Sequence, residues 1–122
     1  MTSVPIKIMQ NSVYVQASVN GQPVMFILDT GDAIGPVFNS MDASRLFLPQ
    51  QGVIGVSGAG GATQNYGTQA SITLGNATYE NEPGAIDPYL QGPSLLGLPF
   101  FLSKAKKLSF DFDANTLELD SK

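Results

Sequence analysis

The sequence predicts a mostly β fold on three observations: apolar and polar residues alternate in several short runs, 13 glycines and 8 prolines punctuate the chain, and charged residues make up 13%. Alternation marks a strand with one buried face, and Gly and Pro supply the turns between such strands. The charged share is well below the ~25% of an average globular protein, which further favours a turn-rich β domain over helices. A chain of 122 residues buries about two-thirds of its unfolded surface on folding. One domain spanning residues 1–122, with one core, is expected.

The N-terminal stretch MTSVPIKIMQ has no basic n-region, no long apolar run and no small-residue cleavage site, so it reads neither as a targeting signal nor as a membrane span. The chain is expected to be soluble, with the compartment left open. Val13, Val15, Ala17 and Val19 alternate with Tyr14, Gln16 and Ser18, a strand, and Asn20-Gly21 then signals a hairpin turn. The return run PVMFIL (Pro23 to Leu28) is continuously apolar, as for a strand covered on both sides, and stops at Asp29-Thr30-Gly31-Asp32. Asn39 followed by Asp42 resembles a capping box, which predicts a short helix from Ser40 to Leu48 ended by Pro49. Gln50 to Ala70 reads as two short strands around the glycine-rich tip Ser57 to Gly61, an exposed hairpin. Ser71–Leu74 and Thr78–Glu80 flank a Gly75-Asn76 turn, and Ser94 to Gly97 form a short apolar strand. Leu98 to Lys107 has the early proline and late lysines of a helix. The alternation of Leu108, Phe110 and Phe112, a turn at Asp113-Ala114-Asn115, and Leu117 and Leu119 complete a last hairpin.

Composition narrows the chemistry. Cys, His and Trp are absent, which removes thiol nucleophiles, Ser-His and Cys-His catalysis, Cys/His zinc sites and disulfide scaffolds. Carboxylates, hydroxyls, lysine and backbone remain. With a net charge of -4 and six basic residues, the chain lacks the basic face that phosphate neutralisation needs, so nucleic acid is not expected as a partner. Lys104, Lys106 and Lys107 read as helix C-terminal charge and solubility. Asn76-Ala77-Thr78 matches a glycosylation sequon, relevant in a eukaryotic secretory pathway alone.

Asp29-Thr30-Gly31 arises by chance in about one chain in fifty of this length at ~5–7% usage per residue, and as a bare tripeptide it also suits a polar strand-ending turn. Its placement says more: it closes an apolar strand, precedes the small-residue loop Ala33-Ile34-Gly35-Pro36, and is followed by a glycine-tipped hairpin and an apolar-apolar-Gly strand. In this the chain resembles the pepsin and retropepsin superfamily of aspartic proteases, specifically its single-domain, retroviral-protease-like members. The likeness is carried by FILDTG (Phe26 to Gly31), VSGAGGATQ from Val56 into the strand that reaches Gln69, SLLGLPFF (Ser94 to Phe101) and KLSFDFDANTLEL (Lys107 to Leu119).

The resemblance implies a closed six-stranded acid-protease barrel with one or two short helices and a flap hairpin. It implies an aspartic endopeptidase: two carboxylates sharing one proton activate a water and protonate the departing nitrogen, because like charges about 3 Å apart cannot both ionise. One Asp-Thr-Gly per chain makes homodimerisation a requirement, with Asp29 of each of two copies forming the dyad. Thr30 would brace the two loops across the twofold, and Gly31 would let the backbone approach the dyad. Ser57, Gly58, Ala59, Gly60 and Gly61 would form the flap over an extended peptide substrate; the other readings are a plain surface loop and, poorly matched, a phosphate-binding loop. Asp32, Ala33, Leu95, Leu96 and Gly97 would lie beside the site, although Leu95-Leu96-Gly97 also suits an ordinary core strand with a glycine stop. Ile34, Val37 and Val53 to Val56 are candidates to line subsites for hydrophobic residues. No metal, cofactor or membrane is implied.

Asp32 departs from the pattern, since most relatives place Ser or Ala there. An ionised Asp32 about 6 Å from the dyad would interact by roughly 3 kcal/mol at an effective dielectric of about 20, giving a less acidic pH optimum than in digestive relatives. Alternatively Asp32 points to solvent and changes little, or marks a weak or inactive domain. Two rival functions stay open: a catalytically inactive dimeric domain serving as a peptide-binding or assembly module, and a solitary β-barrel.

Overall fold

The computed structural model describes residues 1–58 and 61–122. In chain order these carry β1 (Thr2–Met9), β2 (Ser12–Val19), β3 (Gln22–Asp29), β4 (Pro36–Phe38), α1 (Ser40–Arg45), β5 (Val53–Gly58), β6 (Gly61–Leu74), β7 (Ala77–Ile86), β8 (Leu95–Gly97), α2 (Leu98–Lys104), β9 (Ala105–Asp111) and β10 (Thr116–Ser121). The fold is mostly β, as the sequence predicts. The Asn20-Gly21 hairpin forms as expected, with Val19 opposite Gln22 and both turn residues at positive φ, 50° and 83°, the backbone that suits the twist of the flanking strands.

A six-stranded ring closes the barrel. β2 pairs antiparallel with β3, β3 parallel with β8, β8 antiparallel with β4, β4 parallel with β7, β7 antiparallel with β6, and β6 returns to β2 at Ser18↔Thr73 and Val19↔Ile72. The long strand β6 can serve both β5 and β2 because its register with β7 shifts between Ala70 and Ile72. Asn20 captures the intervening residue, its N–H donating to the Ser71 carbonyl (2.9 Å) and its Oδ1 accepting from the Ser71 N–H (2.9 Å). A bulge of this kind turns a strand toward a new partner. β5 extends the sheet from β6, and β1, β10 and β9 extend it from β2. Inside, Phe26, Phe38, Ile72, Leu74, Leu96, Leu117, Val15 and Val19 are fully buried, and Phe26 meets Phe38 edge to face at 5.7 Å.

The structure departs from the sequence reading at several elements. β1 is an additional strand; Val4 and Ile6 alternate with exposed Ser3, Pro5 and Lys7, and Pro5 falls where the strand changes partner from β10 to β2, a junction at which a missing donor is tolerated. Ser71–Leu74 is no separate strand but the end of β6. β3 is covered on both sides only in part, since Met25 is exposed. α1 stops at Arg45 rather than Leu48 because Phe47 turns left-handed (φ 54°), with Leu48 N–H bonding the Ala43 carbonyl and Phe47 N–H that of Ser44, a Schellman ending. α2 ends at Lys104, so Lys106 and Lys107 belong to β9, where pairing with β10 claims their backbone; Lys104 instead pairs with Glu82 and lies over the rings of Tyr79 and Phe100.

Leu96→Ala, which opens a hole beside the ring's centre, is expected to cost about 2–5 kcal/mol, read as a lower urea midpoint with an unchanged m-value.

Candidate active site

The apolar run of β3 ends where its strand pairing ends. Ile27, Leu28 and Asp29 lie in register with Leu95, Leu96 and Gly97 of β8, and the Ile27 N–H bonds the Ser94 carbonyl at 2.9 Å. On its other side β8 pairs with β4, Leu96 opposite Pro36 and Leu95 opposite Val37, while the Gly97 N–H donates to the Gly35 carbonyl at 2.8 Å. β8 is thus held between two strands that are themselves joined by residues 30–35. The structure brings together Asp29, Thr30, Gly31, Asp32, Leu95, Leu96 and Gly97 around this junction, with exposed Ala33 on the same loop.

Asp29 is half-buried, whereas Thr30 and Gly31 are exposed. The Gly31 N–H donates to Asp29 Oδ1 at 2.9 Å, and the Asp32 N–H to the Asp29 carbonyl at 3.2 Å. This tight turn explains the glycine: a Cβ at position 31 would stand 3.2 Å from Asp29 Oδ1, crowding the carboxylate it helps to hold. The result is a carboxylate fixed through one oxygen on an accessible face, a group able to accept a proton from water.

Asp32 turns inward, which removes the alternative reading that it points to solvent. It is 8% exposed; its Oδ1 accepts the N–H groups of Ile34 (2.8 Å) and Gly35 (3.3 Å), and its Oδ2 is buried with no hydrogen-bond partner among the described residues. Burial pushes its carboxyl above the usual value, against the two backbone donors and with a further upward push from Asp29. Gly97 makes room for it, since a Cβ there would lie 2.5 Å from Asp32 Cγ. Leu96 is fully buried and Leu95 partly so, so this strand is core and neighbour to Asp29 at once.

A second layer fixes β8 from behind. Asn39 Oδ1 caps α1 by accepting the Asp42 N–H at 2.7 Å, while the Asn39 N–H donates to Ser94 Oγ (3.1 Å), which donates to Asp42 Oδ2 (2.6 Å). Ser94, fully buried, therefore completes the capping box and ties the helix to the strand beside Asp29. The Asn39–Asp42 pair is visible in the sequence; its link through Ser94, 52 residues away from Asp42, has no local signal.

Of the hairpin tip, the backbones of Ser57, Gly58 and Gly61 lie at the paired ends of β5 and β6, with Gly58 opposite Gly61, and Ala59 and Gly60 lie outside the described residues. Val53 and Ile54 are exposed and Ile34 partly so, but Val37 is buried in β4 and presents no free side chain.

Among solved structures, the fold is similar to that of a retropepsin-like aspartic protease from Rickettsia conorii, at 20% identity and a TM-score of 0.76, over 96% of this chain and 98% of that one. It is also similar to EIAV protease complexed with the inhibitor HBY-793, at 20% identity and a TM-score of 0.59, over 73% and 84% of the two chains. No curated protein matches the sequence. The family model described as aspartyl protease matches residues 15–100. That span runs from within β2 to within α2 and contains both Asp29-Thr30-Gly31 and Leu95-Leu96-Gly97, and the chain belongs to the aspartyl protease family.

Proposed function

We propose that the protein is an aspartic endopeptidase that works as a homodimer, with Asp29 of each copy forming one shared site. The observation that carries this reading is the Asp29 carboxyl itself, held by the Gly31 N–H on a loop whose Thr30 and Gly31 are exposed. A family chemistry built on paired carboxylates needs a second such loop, and each chain contains one Asp-Thr-Gly. Apposition of two copies through Thr30 supplies it, and covers residues that a lone chain leaves open.

In the proposed reaction one ionised carboxylate takes a proton from water as the oxygen attacks the scissile carbonyl carbon, while the protonated partner hydrogen-bonds the carbonyl oxygen. Collapse of the tetrahedral intermediate breaks the C–N bond, and the amine leaves with a proton from the dyad. An extended peptide lies between dyad and flap, with Ser57, Gly58, Ala59, Gly60 and Gly61 as the closing tip and Ile34, Val53 and Ile54 offering apolar contacts. No step calls for a metal or cofactor.

A peptide library incubated from about pH 3 to about pH 8 should be cleaved by the wild type and left intact by Asp29→Asn. Binding without cleavage by both proteins would instead identify a peptide-binding module. Sedimentation should show a monomer–dimer equilibrium, with specific activity falling on dilution; a strictly monomeric species at high concentration defeats the shared site. Gly31→Ala is expected to lower kcat about ten- to a hundredfold through displacement of the Asp29 carboxylate, measured by steady-state kinetics.

A further inference from the structure

We propose that Asp32 is a positioning residue for the Asp29 centre, a carboxyl built into the turn beside Gly97 that fixes where the Asp29 carboxylate points. The inference rests on the reading of Asp29 as the catalytic group.

The first support is connectivity. The Asp32 N–H bonds the Asp29 carbonyl, and its Oδ1 collects the N–H groups of Ile34 and Gly35. One residue thereby ties the leg leaving β3 to the leg entering β4. The second is packing. Gly97 is the ladder partner of Asp29, and a Cβ on it would fall 2.5 Å from Asp32 Cγ and 2.6 Å from Oδ2. The Asp32 carboxyl fills the volume that a side chain at 97 would take, so the loop cannot slide along β8 without giving up that contact.

The third is the buried Oδ2, which has no hydrogen-bond partner among the described residues. A neutral acid tolerates such a seat far better than an anion. The charged group that faces Asp32 is Asp29 on β3, of like sign, whereas Gly97 from β8 and Ile34 and Gly35 from the loop bring no charge. Burial, reinforced by Asp29, outweighs the two backbone donors, and the folded-state value lies above the ordinary 3.8. The neutral form therefore suits the turn better than the anion does. Its contribution to stability is full below about the ordinary value and is lost as the pH rises through the raised one, when ionisation drives Oδ2 toward water and loosens the seat of Asp29.

The test compares wild type, Asp32→Ala and Asp32→Asn in kcat and KM across pH, in thermal melting across the same range, and in the 13C resonance of the Asp29 carboxyl. Asp32→Ala should lower kcat about tenfold or more with KM changed less than about threefold. Asp32→Asn, the same shape without the ionisation, should recover most of that loss and carry activity to higher pH than the wild type. Its melting temperature should gain on that of the wild type as the pH rises above the ordinary aspartate range. Asp32→Ala with wild-type kcat and pH profile overturns the proposal, as does an Asn variant whose pH dependence matches the wild type. If the wild type cleaves nothing, or Asp29→Asn still cleaves, the catalytic reading fails. The positioning role is then decided by the Asp29 resonance, which must move in Asp32→Ala and return toward its wild-type position in Asp32→Asn at acid pH; an unmoved resonance refutes it.

Discussion

The lodging of β8 between β3 and β4 governs the rest of the molecule. Three residues, Leu95 to Gly97, give one edge to each neighbour, parallel to β3 and antiparallel to β4. Because β3 and β4 are consecutive in the chain, the segment joining them must pass around the end of β8, and that detour starts from Asp29 and contains Asp32. Leu96 anchors the arrangement in the core, so the position of an accessible carboxylate is set by a fully buried leucine one residue before its ladder partner. Parallel pairing slants its hydrogen bonds and is slightly weaker per residue than antiparallel pairing, which makes the flanking contacts of so short a strand matter more.

Those contacts come from polar groups. Ser94 bonds Ile27 through its carbonyl and Asn39 and Asp42 through its hydroxyl, joining β3, β8 and α1 at one buried residue. Each bond contributes about 0.5–1.5 kcal/mol, but their arrangement from several directions does more than their sum suggests: a displacement of β8 strains all of them together. The same economy appears at Asn20, where one side chain and its own N–H serve a hairpin turn and the bulge that lets β6 reach β2.

Much of this was legible in the sequence because it is written in local chemistry. Asn20-Gly21 demands its turn, the stop at Asp29 marks the end of a covered strand, and Asn39 and Asp42 begin a helix. What was not legible depends on partners distant in sequence. α1 ends at Arg45 because Phe47, two residues on, turns left-handed, a place usually held by glycine, so no turn signal announces it. α2 gives way to β9 because β10 lies ready to pair, a preference that helix-forming lysines conceal. β4 has three residues and exists through its neighbours. Asp32 was the hardest to place: its sequence context allows solvent or interior alike, and the space that draws it inward is made by Gly97, 65 residues further along.

Lys106 and Lys107 take on a different meaning once they lie on a strand. Among the described residues β9 is a terminal strand of the sheet, with no strand paired to its outer line of backbone donors and acceptors, and Phe110 and Phe112 stack on the outer surface beside it, their ring planes 3° from parallel. An open edge next to exposed aromatic rings invites other chains to add on. Exposed lysines at one end of the strand and Asp111 at the other would have to be desolvated by any such addition. Residues that look like ordinary solubilising charge therefore set a desolvation cost on any extension of the sheet past β9.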